Sequence, residues 1–154
     1  MTEVNRIGLL LKHGYDGEPW YGTALSKLLA NVTAAQAAAH PIAGAHSIWQ
    51  EVLHLITDRR VSCRLLQGET VAAISEEENW PEPKAHDPAA WQQTLAELAR
   101  TQTALLAALD RLTDDRLEEK APGKPYSLYV LLHGTIHHDA YHAGQIALLR
   151  NQSR

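Results

Sequence analysis

His138 and His142 stand four residues apart in the run Leu131-Leu132-His133-Gly134-Thr135-Ile136-His137-His138-Asp139-Ala140-Tyr141-His142-Ala143-Gly144-Gln145. On an α-helix that spacing offsets two side chains by about 40° in direction and about 6 Å along the axis. Both imidazoles can then reach one ion. Neutral imidazole is a common protein ligand of divalent transition metals, so the chemistry this pair suits is metal binding. At 100° per residue from His138, the side chains of Leu131, Thr135, His142, Gln145 and Leu149 fall within about 60° of it. A face that mixes apolar residues with two imidazoles and an amide is expected to point into a bundle. His133 and His137 form a second pair roughly 100–140° away, beside Val130, Tyr141 and Leu148, and no ligand role is assigned to them.

A third ligand must come from elsewhere, and His54 is the best placed. It lies mid-helix in Trp49-Gln50-Glu51-Val52-Leu53-His54-Leu55-Ile56, among apolar residues where an unpaired imidazole is costly. His46, at the start of the same segment, is expected to be exposed or capping. His13, His40 and His86 sit in or beside breaks and are given no role. A lone buried histidine is more often a hydrogen-bonded core residue than a ligand, so spacing by itself reaches a metal site whose third ligand is inferred from position.

Other groups can serve that site. Gln50 and Glu51 precede His54 by four and three residues and can share its face; Gln145 can bond a ligand or a substrate. Glu51 and Gln145 are the candidate catalytic residues. Glu51 is the one carboxylate placed to act as a base, against the commoner reading of a solvated helix residue. Asp139 is expected to point away from His138. Trp49 and Tyr141 can line a pocket, the core or a dimer interface. Cys63 lies about 180° round the helix from His54 and reads as a small core residue.

Helical periodicity, nearly throughout, supplies the elements that would hold these groups. Residues 3–14 carry Ile7, Leu10 and Leu11 at helical spacing; 17–22 is a break; 23–29 is a short helix; Thr33 caps 34–39. Ser47-Ile48-Trp49-Gln50 matches a capping box for a helix that should run to about Leu66 and stop near Gly68. Residues 69–86, with Pro81, Pro83 and Glu76-Glu77-Glu78, read as a long surface loop. Asp87-Pro88 is an N-cap followed by Pro at the first helical position, opening a helix with Trp91, Leu95, Leu98, Leu105 and Leu109. Residues 113–117 read as a turn, 121–125 as a firm break, and Ser127 caps a last helix to about Asn151. Four substantial helices predict an all-α, four-helix up-and-down bundle forming one domain over residues 1–154.

Bulk properties narrow the function classes. The chain has 154 residues and a net charge of −4, from 14 basic and 18 acidic side chains. That balance, with no basic stripe, argues against nucleic-acid binding. No apolar run approaches the ~20 residues of a membrane span. One cysteine allows no internal disulfide and suits a reducing cytosol. A soluble cytoplasmic protein acting on a small molecule is expected.

His46-Ser47-Ile48-Trp49-Gln50-Glu51-Val52-Leu53-His54, together with His138-Asp139-Ala140-Tyr141-His142-Ala143-Gly144-Gln145-Ile146, resembles the DinB/YfiT-like metalloenzyme family. Asn79-Trp80-Pro81 and Trp91 resemble it too, and the motif order agrees over most of the chain. The resemblance implies a four-helix bundle, often paired as a homodimer. It also implies a divalent metal, commonly nickel or zinc, held by His54, His138 and His142. Related members look like thiol transferases, thiol-dependent isomerases and hydrolases. A transferase using a low-molecular-weight thiol is the leading expectation; a metal-dependent hydrolase and a non-catalytic metal-binding stress-response protein are its rivals.

Overall fold

The computed structural model describes residues 1–152. Its helices are α1 (Glu3–Tyr15), α2 (Leu25–Leu29), α3 (Ala34–Ala38), α4 (Ile48–Leu66), α5 (Glu76–Asn79), α6 (Pro88–Leu109) and α7 (Leu128–Gln152), with a 3₁₀ turn at Asp114–Arg116 before α7. Start chemistry sets most of these boundaries. Ser47 Oγ accepts from the Gln50 amide while the Ser47 amide donates to Gln50 Oε1 at 2.8 Å, the reciprocal cap expected for α4. Gly68, at φ +89°, closes α4 where a residue with a Cβ would be strained. Asp87 caps α6 with Pro88 at its first turn. Ser127 Oγ accepts from the Val130 amide at the start of α7. Asp114 reaches back from the 3₁₀ turn to accept the Glu3 and Val4 amides at 2.9 Å each, satisfying donors that α1 cannot pair internally.

One expectation needs correcting. The segment 69–86 is not wholly a loop, because Ser75 and Glu78 form another capping box and start α5. The acidic run Glu76-Glu77-Glu78 occupies its first turn, where the positive end of the helix favours carboxylates.

The four long helices α1, α4, α6 and α7 form the bundle, and their contacts give its directions. Trp49 packs on Trp91 with ring centroids 5.1 Å apart, and further along Arg59 meets Gln102, so α4 and α6 run parallel. Glu51 meets His142, Arg59 meets Asp139 and Ser62 meets Thr135, so α7 runs antiparallel to α4. Gln102 reaches the carbonyl of Leu11 while Gly8 faces Leu109, so α1 runs antiparallel to α6. The sequence of directions is therefore up, down, down, up. Strict alternation fails at one step, since the connection 67–87 carries the chain back along α4 before α6 begins.

Two apolar clusters fill the interior. One joins α2, α3, the first half of α4, the first half of α6 and the end of α7 through Leu28, Trp49, Leu55, Trp91 and Ile146. The other joins α1, the end of α4, the end of α6 and the start of α7 through Ile7, Leu66, Leu105 and Leu132, and includes Cys63. Trp49 and Trp91 are both buried with their indole N–H groups bonded, to Thr94 Oγ1 and the Val32 carbonyl.

Between the clusters lies a polar layer centred on Arg59. Its guanidinium donates to Asp139 Oδ2 at 2.8 Å, to Gln102 Oε1 at 3.1 Å and to the Leu55 carbonyl at 3.3 Å. Gln102 passes the network on to Leu11, so all four long helices are tied to one cation. The Arg59 and Asp139 side chains are 1% and 5% exposed. No described helix is long and apolar enough to cross a membrane.

Candidate metal centre

The antiparallel pairing of α4 and α7 brings His54, His138 and His142 together. His138 Nε2 lies 3.0 Å from the Nε2 of His54 and 3.0 Å from the Nε2 of His142. His54 and His142 are buried and His138 is partly exposed. The far nitrogens of the two buried rings are anchored. His54 Nδ1 bonds the Asn79 carbonyl at 2.8 Å, and His142 Nδ1 bonds Glu51 Oε2 at 2.5 Å. His138 Nδ1 faces Asp58 Oδ2 at 3.5 Å without bonding it.

These anchors decide the protons. A carbonyl and a carboxylate only accept, so Nδ1 of His54 and of His142 each carries the hydrogen of a neutral ring. The Nε2 atoms of both rings are then bare lone pairs, and both are aimed at His138 Nε2. That nitrogen has one proton at most and can satisfy only one of them. Three converging nitrogens with at most one proton among them are a poor hydrogen-bond cluster and a good cation site. Three imidazole nitrogens about 2.0–2.1 Å from a tetrahedral ion stand about 3.3 Å apart, close to the 3.0 Å separations seen here. The residues fit a divalent metal, and their Nδ1 contacts supply the ring orientation that ligating histidines require.

Burial favours the neutral form of His54 and His138. It lowers the pKa of His54, with the Asn79 contact opposing, and lowers that of His138 to about 4, with the Asp58 carboxylate opposing. Gln145 lies 3.4 Å from His142 Nδ1 through its amide. Trp80, just beyond α5, stacks on His54 at 4.0 Å and is itself stacked by His46 at 3.7 Å. The two contacts make an aromatic wall on one side of the site. The other side opens past His138 into a cavity of about 270 Å³ between α4 and α7.

Several residues sit differently from expectation. Glu51 is not solvated: it is 1% exposed and bonded to His142, so it orients that ring. Gln50 is engaged elsewhere, closing the cap of α4 and donating to Glu82 Oε1. Asp139 points to Arg59 and away from His138, as expected. Trp49 is core, whereas Tyr141 is 66% exposed; Cys63 is buried. His137 is exposed and His133 partly buried beside Tyr129, both apart from the three ligands. Sequence reasoning missed Asp58 and the contacts of Asn79 and Trp80. Asp58 carried a signal, since it follows His54 by four residues and shares its face. Asn79 and Trp80 reach the site by a fold-back of α5 that no periodicity reveals.

No curated protein and no solved structure matches the chain significantly. A sequence model of the DinB superfamily matches residues 22–146, which hold all three histidines. By that match over most of its length, with the helical bundle and the histidine cluster in agreement, the chain belongs to the DinB superfamily.

Proposed function

We propose that this protein is a metal-dependent transferase that takes a low-molecular-weight thiol, with nickel or zinc as the metal. The observation that carries the reading is the three-nitrogen cluster lying beside an open cavity. Three neutral ligands keep the full charge of the ion and leave coordination positions free, the mark of a catalytic site. A divalent ion there supplies Lewis acidity, lowering the pKa of a thiol bound to it into the neutral range. The chain's own residues hold that site in shape. Glu51 and Asn79 fix the tautomers of two ligands, Trp80 shuts one side from water, and the His138 side admits the substrate. In the transfer, the thiol gives its proton to solvent, its sulfur forms a bond to an electrophilic carbon, and the bond from that carbon to the leaving group breaks, the leaving group departing with the electron pair and taking up a proton from solvent.

The hydrolase reading has one observation in its favour. Asp58 stands beside His138 as a partly exposed carboxylate with no hydrogen bond among the described residues, and such a group can take a proton from water.

The first test is elemental analysis of tag-free protein purified without a nickel column, beside His54→Ala and His142→Ala. The expected result is near one metal per chain, lost in both variants. Loaded protein is then screened with electrophiles, with and without added thiols. Turnover that requires thiol supports the transferase; turnover without thiol that collapses in Asp58→Asn supports the hydrolase. A wild-type protein that takes up neither zinc nor nickel removes the basis for both.

A further inference from the structure

The cavity beside the metal centre holds a carboxylate and no lysine or arginine in its lining. Asp58 and Ser62 enter it from α4, and Val130, Leu131, Gly134, Thr135 and His138 from α7, with Tyr126 just before that helix. Asp58 is its only carboxylate. That side chain is 35% exposed, and its one ion-pair contact among the described residues is with His138 Nδ1 at 3.5 Å. Every cation that could neutralise it is engaged elsewhere or absent from the lining; Arg59, the next residue, is turned into the bundle onto Asp139.

The hydroxyls deepen the asymmetry. Thr135 Oγ1 donates to the Leu131 carbonyl at 3.1 Å. A hydroxyl has one proton, so the 3.3 Å contact between Ser62 and Thr135 is made by the Ser62 proton. Ser62 Oγ is left with lone pairs and no hydrogen to give. The cavity thus offers the Asp58 carboxylate and the Ser62 lone pairs as acceptors in a lining without lysine or arginine. A ligand that brings three N–H donors and a positive charge complements them.

We propose that the cavity seats a primary ammonium group, so that the thiol used by this protein is a small aminothiol. The inference rests on the thiol reading above. His54, His138 and His142 would hold the metal that binds the sulfur, and the ammonium would lie between Asp58 and Ser62 in the adjoining cavity. Asp58 then selects among thiols, beyond any part it plays in orienting His138.

The test uses the full chain loaded with Co²⁺, whose thiolate complexes absorb in the near ultraviolet, with metal content read separately. The probes are cysteamine, 2-mercaptoethanol and 3-mercaptopropionate, which share a thiol and differ in the second group. Cysteamine is expected to bind about tenfold or more tighter than 2-mercaptoethanol, as a charge-assisted hydrogen bond implies, with 3-mercaptopropionate weakest. In Asp58→Asn, with cobalt retained, the gap between cysteamine and 2-mercaptoethanol is expected to shrink to about twofold or less. That comparison separates recognition from the thiols' own acidities. Asp58→Ser serves the same purpose if the Asn variant does not fold. An unchanged ranking in both variants overturns the proposal and leaves the thiol reading standing. Cobalt-loaded protein that shows no thiolate band with any probe overturns the thiol reading, and this inference with it.

Discussion

Glu51 of α4 and His142 of α7 stand 2.5 Å apart, oxygen to ring nitrogen, and both are almost wholly out of solvent. One carboxylate thereby holds the tautomer of a clustered histidine on a neighbouring helix. Its charge also offsets part of the charge that a cation at the three Nε2 atoms would bring.

Removing that contact should weaken the metal site without abolishing it. Glu51→Ala is expected to lower zinc affinity by about 10–100-fold, the usual consequence of losing a partner behind a ligand. Glu51→Gln, which keeps an accepting oxygen but not the charge, should fall between. Competition with a zinc chelator measures both. An Ala variant with wild-type affinity would show that Glu51 is only a buried structural acid.

Trp80 offers an optical report on the same centre. It stacks on His54 and meets His142 edge-on at 5.9 Å, whereas Trp49 and Trp91 pack on each other in the core and Trp20 is exposed. Nickel titration is expected to quench tryptophan emission, and Trp80→Phe should remove most of that change while preserving stoichiometry. Quenching of equal depth in the variant would mean the ion sits elsewhere.

The Arg59–Asp139 pair should dominate stability. Breaking a buried pair by removing one partner costs about 3–5 kcal/mol, because the other charge is left unpaired. Arg59→Met and Asp139→Leu are each expected to lose stability on that scale in urea denaturation. The double variant should recover much of it, since no lone charge remains. Singles that cost less than about 1 kcal/mol would contradict the packing described here.

Acid should destabilise the metal-free protein through its histidines. Burial lowers His54 and His138 from the ordinary 6.5, the latter to about 4. Below pH 6.5 the unfolded chain takes up protons on these rings that the folded chain refuses. Stability therefore falls as pH drops through that value, and the share from His138 is fully lost near pH 4. Zinc binds only the deprotonated rings, so its stabilising effect is expected to be greatest near neutral pH and to fade in acid. Urea midpoints at pH 7.5 and 5.0, with and without zinc, check both signs.

Much of this protein was legible in the order of its residues, because the relevant signals are local. Ser47 with Gln50, Asp87 with Pro88, and Gly68 mark helix ends through contacts that span only a few positions. The i, i+4 spacing of His138 and His142 is a property of one helix, and His54 betrayed itself as an imidazole in an apolar stretch. Tertiary structure decided what depends on packing between segments distant in the chain. The parallel run of α4 and α6 follows from the path of residues 67–87, whose length allowed either direction. Glu51 looked solvated until α7 covered it, and Arg59 drew no notice until three other helices closed around it. Asn79, Trp80 and Asp58 acquire their places only when α5 folds back and α7 docks on α4. Periodicity tells which face of a helix turns inward; only docking tells what that face will meet.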